Sequence, residues 1–262
     1  MLVDAHCHLT GEEFGAGGGI EGLLLRAKEN GVCRLIASGF DLNSSFLSMK
    51  FAESHEEIYF CAGFHPSELR KVREGDLERL KELCLHEKCV AVGEIGLDYH
   101  FADNPPKELQ RELFVRQMQL ADELALPIVV HSRDACYETL ELLRENRALL
   151  KRGGVMHCYS YSPESVKDFL ELGLYFSFGG PSTFKNANKV KESARLVPVG
   201  RILTETDCPY LTPVPYRGVF PNEPKNIKYI LENLAEIRQE SEKELEKSVE
   251  ENSKRLFPKM KE

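Results

Sequence analysis

Two histidines near the start of the chain, His6 and His8, are separated by one residue and preceded by Asp4. They lie in an apolar run typical of a β-strand, in which residues two apart face the same side. Two neutral imidazoles at this spacing can bind one divalent metal ion, and a nearby carboxylate can orient a ring. A pair of surface histidines on an edge strand would show the same spacing. The same alternation turns Cys7 to the opposite side, so we expect it to pack against a helix and to bind no metal.

Other groups that could bind a metal or catalyse a reaction stand where further apolar runs stop. They are His65, Glu94, His131, His157, Glu205 and Asp207. Each alone could be a histidine satisfied in the core or an acid that caps a helix. Their repetition at strand ends indicates one shared site. Nitrogen and oxygen ligands without a cysteine cluster suit Zn, Mn, Fe or Mg better than a structural thiolate site.

The elements that must position these groups are eight apolar runs rich in Val, Ile and Leu. They cover residues 2–8, 34–39, 58–64, 89–95, 127–132, 154–159, 174–179 and 202–207. Runs that are almost continuously apolar are typical of strands covered on both faces. Helical patterns separate them, most clearly at 107–125 and 241–257.

Strands alternating with helices predict an α/β fold with parallel pairing through right-handed crossovers. Eight such units favour a (β/α)8 TIM barrel, in which the C-terminal ends of the strands carry the active site. An open doubly wound sheet is the alternative, although no GxGxxG turn follows the first strand. No linker or repeat interrupts the pattern, so we expect a single domain over residues 1–262.

The composition sets limits on compartment and partners. The longest run without a charged residue, 172–184, is shorter than the ~20 residues that span a bilayer. No basic start followed by an apolar stretch is visible, so we expect a cytoplasmic protein without a membrane partner or an obligate protein partner. The eight cysteines are scattered without a CxxC pair and should be reduced thiols. A net charge of −8 argues against a broad nonspecific nucleic-acid surface, but bound divalent ions could still attract a phosphate substrate.

Longer segments around these residues point to one protein family. They are DAHCH at 4–8, GFHP at 63–66, GEIGLDY at 93–99, HSR at 131–133, HCYS at 157–160, TFKNA at 183–187, ETDCPYL at 205–211, NEP at 222–224 and NSKRLF at 252–257. In this order they resemble the TatD family of metal-dependent deoxyribonucleases, within the broader amidohydrolase-like barrels. The resemblance spans essentially the whole chain.

The resemblance implies a site for two divalent ions, which could be Mg, Mn or Zn. One ion would be held by His6, His8, Glu94 and Asp207, and the second by Glu94, His131 and His157, with Glu94 bridging. Asp207 would also hold and deprotonate the attacking water. Paired ions of this kind activate water and neutralise charge on a phosphate.

Four further residues have expected roles, and for three of them an alternative stays open. By resemblance, His65 contacts the scissile phosphate. Glu205, two residues before Asp207, either assists the metal site, as a supporting group or as a ligand of a third ion, or is a buried acid paired with a neighbouring strand. Arg133 and Lys185 are the cations best suited to reach a phosphate oxygen, and each could instead be a solvated loop charge.

Two positions depart from the family pattern. Tyr161 stands where many relatives have glycine, and its ring could narrow the mouth of the site or stack on a base. Val219, Phe220 and Pro221 replace a basic pair that relatives often carry before Asn222. This loss weakens the expectation of strong binding to the backbone of long DNA.

Three functions remain open at this point. The leading hypothesis is a phosphodiesterase that acts on DNA or a nucleotide, as a 3′ exonuclease-like DNase. The alternative is a metal-dependent amide or ester hydrolase such as an aminoacyl-tRNA deacylase. A binding module without activity would be expected to lack ligands, and every expected ligand is present.

Overall fold

The structure is a computed structural model that describes residues 1–9 and 12–260. Its strands are β1 (Leu2–Cys7), β2 (Val32–Ser38), β3 (Ile58–Ala62), β4 (Cys89–Asp98), β5 (Ile128–Arg133), β6 (Gly154–Met156), β7 (Tyr175–Phe178) and β8 (Ile202–Thr204). They form one sheet in the order β1 to β8. The described pairings, such as β1 with β2 and β4 with β5, are parallel.

Helices connect successive strands. They are α1 (Gly19–Glu29), α2 (Leu42–Ser54), α3 (Asp76–Cys84), α4 (Lys107–Glu123), α5 (Cys136–Glu145), α6 (Val166–Glu171), α7 (Asn188–Leu196), α8 (Ile227–Arg238) and α9 (Glu242–Leu256). Local sequence explains several of their ends. At the start of α2, for example, the Asp41 carboxylate accepts the Ser44 N–H at 2.7 Å, and the Ser44 hydroxyl accepts the Asp41 N–H at 2.9 Å. This reciprocal capping satisfies two N–H groups that the helix itself leaves without partners.

The alternation of strands and helices confirms the predicted (β/α)8 TIM barrel. Backbone hydrogen bonds join the end of β1 to the chain after β8, from Asp207 N–H to the His6 carbonyl at 3.0 Å and from His8 N–H to the Cys208 carbonyl at 2.7 Å. An open doubly wound sheet would leave its first and last strands apart. Every residue of β1, β3, β4, β6, β7 and β8 is buried, as expected for strands covered on both faces.

All eight strands lie where the apolar runs predicted them, but several of their ends differ. β4 continues to Asp98, three residues beyond its predicted end, so Glu94 lies within the strand and not at its end. β6 stops at Met156 and β8 at Thr204, three residues before the predicted ends. Cys158 and Asp207 adopt left-handed backbone conformations, with φ of 44° and 52°, and such residues cannot continue a strand. His157 and Asp207 therefore sit on the turns that follow their strands.

Contacts between residues divide the chain into two compact units. The first consists of Met1–Ala37, Cys158–Val166 and Phe176–Arg255, and the second of Ser38–His157, Lys167–Tyr175 and Leu256–Glu262. The single domain expected from the sequence stays a prediction. Among the described residues, none of the helices combines the length and the hydropathy needed to cross a lipid bilayer.

Within the first unit, a buried carboxylate ties β1 to the chain after β8. Asp4 is fully buried, and its side chain accepts the Thr206 N–H at 2.9 Å and the Thr206 hydroxyl at 2.5 Å. Burial raises the pKa of Asp4 to about 7, although both hydrogen bonds from Thr206 act in the opposite direction. Because the residues that follow Asp4 and Thr206 carry the candidate ligands, this contact sets their relative positions.

We predict that Thr206→Val lowers the free energy of unfolding of the metal-free protein by about 1–3 kcal/mol, since it leaves an oxygen of the buried Asp4 without its hydroxyl donor. Thr204→Val is the matched control, because Thr204 is equally buried and its hydroxyl makes only a 3.3 Å contact to the Val3 carbonyl. Chemical denaturation in the presence of a chelator measures both changes. Equal effects of the two substitutions would contradict the role assigned to Asp4.

Candidate metal centre

The first unit brings together three of the predicted ligands. His6 lies on β1, His8 follows the end of β1, and Asp207 follows β8. The Nε2 atoms of His6 and His8 are 3.3 Å apart. The Oδ1 atom of Asp207 lies 3.7 Å from His6 Nε2 and 3.3 Å from His8 Nε2. We call these residues the first triad.

The spacing of the first triad fits a bound divalent ion. Ligand atoms held about 2.1 Å from a tetrahedral metal ion lie about 3.4 Å from one another. The three distances in the triad, 3.3, 3.3 and 3.7 Å, are close to this value. Two imidazole nitrogens and a carboxylate oxygen are also a donor set suited to Zn²⁺ and similar divalent ions.

The second unit holds a second group of predicted ligands, Glu94 on β4, His131 on β5 and His157 directly after β6. The Oε1 atom of Glu94 is 2.7 Å from His131 Nδ1 and 3.3 Å from His157 Nε2. Ligand atoms from all three residues lie within 4.8 Å of one another. We call these residues the second triad, and it offers the same types of donor as the first.

A glycine allows β4 and β5 to approach closely beside the second triad. Gly96 has a φ of 147°, and a Cβ atom at this position would lie 1.9 Å from the His131 carbonyl oxygen. No other residue type fits this contact without moving the backbone of His131. The GEIGLDY segment thus carries Glu94 and also the glycine that lets its strand lie against the next ligand.

Asp98 belongs to this group, although the sequence analysis assigned it no role. Its Oδ2 atom lies 3.2 Å from His131 Nε2, so His131 contacts a carboxylate through each ring nitrogen. Burial alone would raise the pKa of Asp98, but hydrogen bonds from His131 and from the His100 N–H lower it. The spacing of Asp98 four residues after Glu94 on one strand was the available signal, since even spacing places both on the same face.

The two carboxylates also act on His131. Burial lowers its pKa, but the hydrogen bonds to Asp98 and Glu94 outweigh burial and raise it. The two carboxylates thus stabilise the protonated form of the imidazole, and a metal ion bound to His131 would compete with its proton.

His65 lies near the second triad. Its Nε2 atom is 3.7 Å from Glu94 Oε1, and its ring meets the His131 ring edge to face at 4.3 Å between centroids. Its Nδ1 atom contacts Ser67, with the hydroxyl at 2.8 Å and the backbone nitrogen at 3.2 Å. The N–H of Ser67 can donate to Nδ1, which leaves Nε2 as the nitrogen that can carry a proton. The predicted contact of His65 with a phosphate stays a prediction.

The remaining candidates are Glu205, Arg133 and Lys185. Glu205 is fully buried after β8, and its charge contributes to the raised pKa of Asp4. Arg133 is exposed at the end of β5, with its guanidinium 4.9 Å from the centre of the Phe101 ring, and Lys185 is exposed. The roles of these three residues stay predictions.

Two residues singled out in the sequence have defined surroundings. The Cys7 thiol is fully buried and donates to the Ile36 carbonyl of β2 at 3.4 Å, and its predicted packing against a helix stays a prediction. Each of the eight cysteines is a thiol outside any disulfide bond. Tyr161 packs edge to face against Tyr159 at 5.9 Å, and its effect on the mouth of the site stays a prediction.

A buried asparagine holds the turn that carries Asp207. The side-chain amide of Asn222 donates to the carbonyls of Thr206 at 3.0 Å and Tyr210 at 2.8 Å. Its side-chain oxygen accepts the Asn226 amide at 2.9 Å. The NEP segment therefore fixes both ends of a turn that lies 12 to 16 residues earlier in the chain.

Two buried glutamines on α4 hold the backbone beside His65 and Asp98. The side chain of Gln117 accepts the Phe64 N–H at 2.7 Å and donates to the Phe64 carbonyl at 3.2 Å. Gln110 makes the same pair of contacts with the backbone of Asp98, at 2.8 and 3.0 Å. Seven residues apart, they share one face of the helix. They satisfy buried backbone groups of Phe64 and Asp98, and so fix where His65 and Asp98 lie.

We predict that His6→Ala removes the ion held by the first triad, whereas Cys7→Ala leaves the metal content unchanged. Elemental analysis of the purified variants after dialysis gives the number of ions per chain. The two substitutions are adjacent and both affect buried side chains, so they are matched for local disturbance. Loss of metal from Cys7→Ala would contradict the assignment.

We predict that Gln117→Leu lowers the free energy of unfolding by about 1–3 kcal/mol, because it leaves a buried backbone N–H without an acceptor. Gln119→Leu makes the same chemical change at an exposed position of α4 and should have little effect. Urea denaturation of both variants provides the comparison. Similar stability of the two variants would show that the hydrogen bonds to Phe64 do not stabilise the fold.

Comparison with known proteins identifies the family of this chain. Residues 3–258 match the model of the family described as TatD related DNase. The chain is 43% identical over 257 residues to YabD of Bacillus subtilis (strain 168), covering 98% of this chain and 99% of the relative. It is 36% identical over 258 residues to YcfH of Escherichia coli (strain K12), covering 98% and 96%. Both relatives are described as uncharacterized metal-dependent hydrolases.

A solved structure shows the same fold. The crystal structure of YjjV, a TatD homolog from Escherichia coli K12, superimposes with a TM-score of 0.92 at 31% sequence identity and covers 98% of both chains. The family match extends over nearly all of the chain and includes every residue of both triads. The chain therefore belongs to the TatD family of metal-dependent hydrolases.

Proposed function

We propose that this hydrolase cleaves phosphodiester bonds in DNA with two divalent ions, one held by each triad. The single observation that carries the proposal is the first triad, whose three ligand atoms have the spacing of a metal coordination shell. The second triad supplies a second set of the same donors. The bridging role of Glu94 and the identity of the ions, Mg, Mn or Zn, are part of the proposal.

Divalent ions bound here would polarise a water molecule and neutralise charge on the phosphate. Asp207 holds the attacking water and takes its proton. His65 donates a hydrogen bond from Nε2 to a phosphate oxygen, while Ser67 holds the opposite side of the ring. Arg133 and Lys185, both exposed, are the cations available to further phosphate oxygens.

The choice of DNA as substrate is supported by the description of the matching family as TatD related DNase. We propose attack from an exposed 3′ end, which releases mononucleotides. Amide and ester hydrolysis, including deacylation of aminoacyl-tRNA, would use the same ions and remains the alternative. We also propose that Glu205 assists the metal site. The expected location of the protein is the cytoplasm.

We predict that the protein releases mononucleotides from single-stranded DNA in the presence of Mg²⁺ or Mn²⁺, and that Asp207→Ala lowers kcat/KM by about 10²- to 10⁴-fold because it removes both a metal ligand and the proton acceptor. Asp103→Ala, at an exposed position between β4 and α4, is the matched control and should keep full activity. Chromatography of the released nucleotides measures both rates.

A parallel panel of amides, carboxylic esters and phosphodiesters tests the alternative. Metal-dependent turnover of an amide or ester, with no release of nucleotides from any DNA form, would replace the nuclease proposal by the alternative. Inactivity on all three classes, with both ions bound, would contradict both.

A further inference from the structure

Several large apolar side chains are exposed on the segment that follows Asp207. Tyr210 is 54% exposed, Val219 56% and Phe220 59%. Tyr216, in the same segment, is 46% exposed. A cluster of exposed aromatic rings next to a candidate active site is typical of a binding surface.

The first of these rings lies next to a candidate metal ligand. The ring of Tyr210 meets the ring of His8 edge to face, with 6.4 Å between centroids. Phe220 follows, 6.5 Å from Tyr210 with the ring planes 40° apart. The rings of Tyr216 and Tyr229 meet at 5.4 Å, and both line one cavity together with the chain neighbours of Phe220. We call Tyr210, Phe220, Tyr216 and Tyr229 the aromatic track.

A cavity of about 460 Å³ lies at the outer end of the aromatic track. Its lining includes Val219 and Pro221, the chain neighbours of Phe220, together with Tyr216, Tyr229, Lys225 and Lys228. The volume falls within the roughly 300–1,000 Å³ of ordinary small-ligand sites. Aromatic rings beside lysine ammonium groups suit a ligand that carries both a flat ring and a phosphate.

The cavity also contains one acidic side chain. Glu223 lines it, but its carboxylate is paired with Arg26 at 2.7 Å and with Lys225 at 3.3 Å. Lys228 donates to the side chain of Asn30, a neutral partner, at 2.6 Å. The lining thus carries two lysines and one carboxylate, which makes it positive in a chain with a net charge of −8.

Hydrogen bonds hold the segment in place. The Thr212 hydroxyl donates to the Val219 carbonyl at 2.6 Å, and the Val214 N–H donates to the Thr183 hydroxyl at 2.9 Å. Asn222 binds the Tyr210 carbonyl, and the Arg217 guanidinium lies 4.0 Å from the centre of the Phe184 ring. Because these contacts restrict the backbone of the segment, its exposed rings lose less conformational freedom when a ligand stacks on them.

We propose that the aromatic track binds the unpaired bases of a single-stranded nucleic acid whose scissile phosphate lies at the first triad. This rests on the proposed phosphodiesterase function. Bases stack on Tyr210 and Phe220, and one further nucleotide enters the cavity with its phosphate near Lys225 and Lys228. Every base presents a π-face, so the track binds without sequence preference. Phe220 thus contributes stacking at a position where a basic residue would contribute charge.

The test measures binding separately from hydrolysis. A fluorescent oligothymidylate with phosphorothioate linkages, which resist cleavage, is titrated with the full chain in Mn²⁺ and followed by anisotropy. We predict that Phe220→Ala raises Kd roughly 5- to 150-fold, the loss of about one stacked base. Phe46→Ala is the matched control, since Phe46 is 47% exposed on α2 and lies outside the track. Hydrolysis of bis(p-nitrophenyl) phosphate is measured for both variants alongside binding, and Phe46→Ala should leave it unchanged.

A second measurement concerns the cavity. If Lys225 contacts a phosphate, Lys225→Gln should reduce the slope of log Kd against log salt concentration by about 0.7. An unchanged slope would remove the cavity from the proposed binding path.

Other outcomes separate this inference from the proposed function. If the protein hydrolyses both substrates but Phe220→Ala binds the oligonucleotide as tightly as wild type, the track is overturned and the phosphodiesterase stands. Equal losses on the oligonucleotide and on bis(p-nitrophenyl) phosphate would mark Phe220 as structural and also overturn it. A shift from dimer to monomer in sedimentation, with Kd unchanged, would assign the exposed rings to a contact between two copies instead. If neither substrate is hydrolysed, the proposed function fails whatever the value of Kd.

Discussion

The buried carboxylate of Asp4 is the contact on which the first triad depends. It accepts both the N–H and the hydroxyl of Thr206, and so joins the first strand to the turn after the last one. His6 and Asp207 each follow one partner of this contact closely in the chain. A carboxylate buried away from water is stable only when it accepts strong hydrogen bonds, as Asp4 does from Thr206. The same hydrogen bonds hold the backbone next to His6 and Asp207 in place.

The second triad is positioned by different means. Gly96 permits β4 and β5 to approach until their side chains meet, and the glutamines of α4 hold the backbone beside His65 and Asp98. Hydrogen bonds to buried main-chain groups restrict these residues more tightly than apolar packing could, because they have a preferred direction as well as a distance. α4 therefore helps to position His65 and Asp98 by binding the backbone beside them.

The segment from Glu205 to Glu223 combines several tasks in a short stretch of chain. It carries the candidate ligand Asp207, the exposed rings of Tyr210 and Phe220, and the asparagine that fixes the turn. Because Asn222 binds the carbonyls of both Thr206 and Tyr210, the ligand and the first ring of the aromatic track are held by one side chain. A substrate that stacks on the track would therefore meet the metal centre at a fixed distance.

The sequence by itself determined the eight strands, their alternation with helices and the six candidate ligands. Period-two alternation and apolar runs are local signals, and they placed His6 and His8 on one side of the first strand. The tertiary structure decided the rest. Left-handed residues end β6 and β8 early, so His157 and Asp207 sit on turns, and Asp98, Gln110, Gln117 and Asn222 gain their roles from contacts with distant segments. A polar side chain that binds main-chain groups far along the sequence leaves no periodic trace, because its partner exists only after the chain has folded.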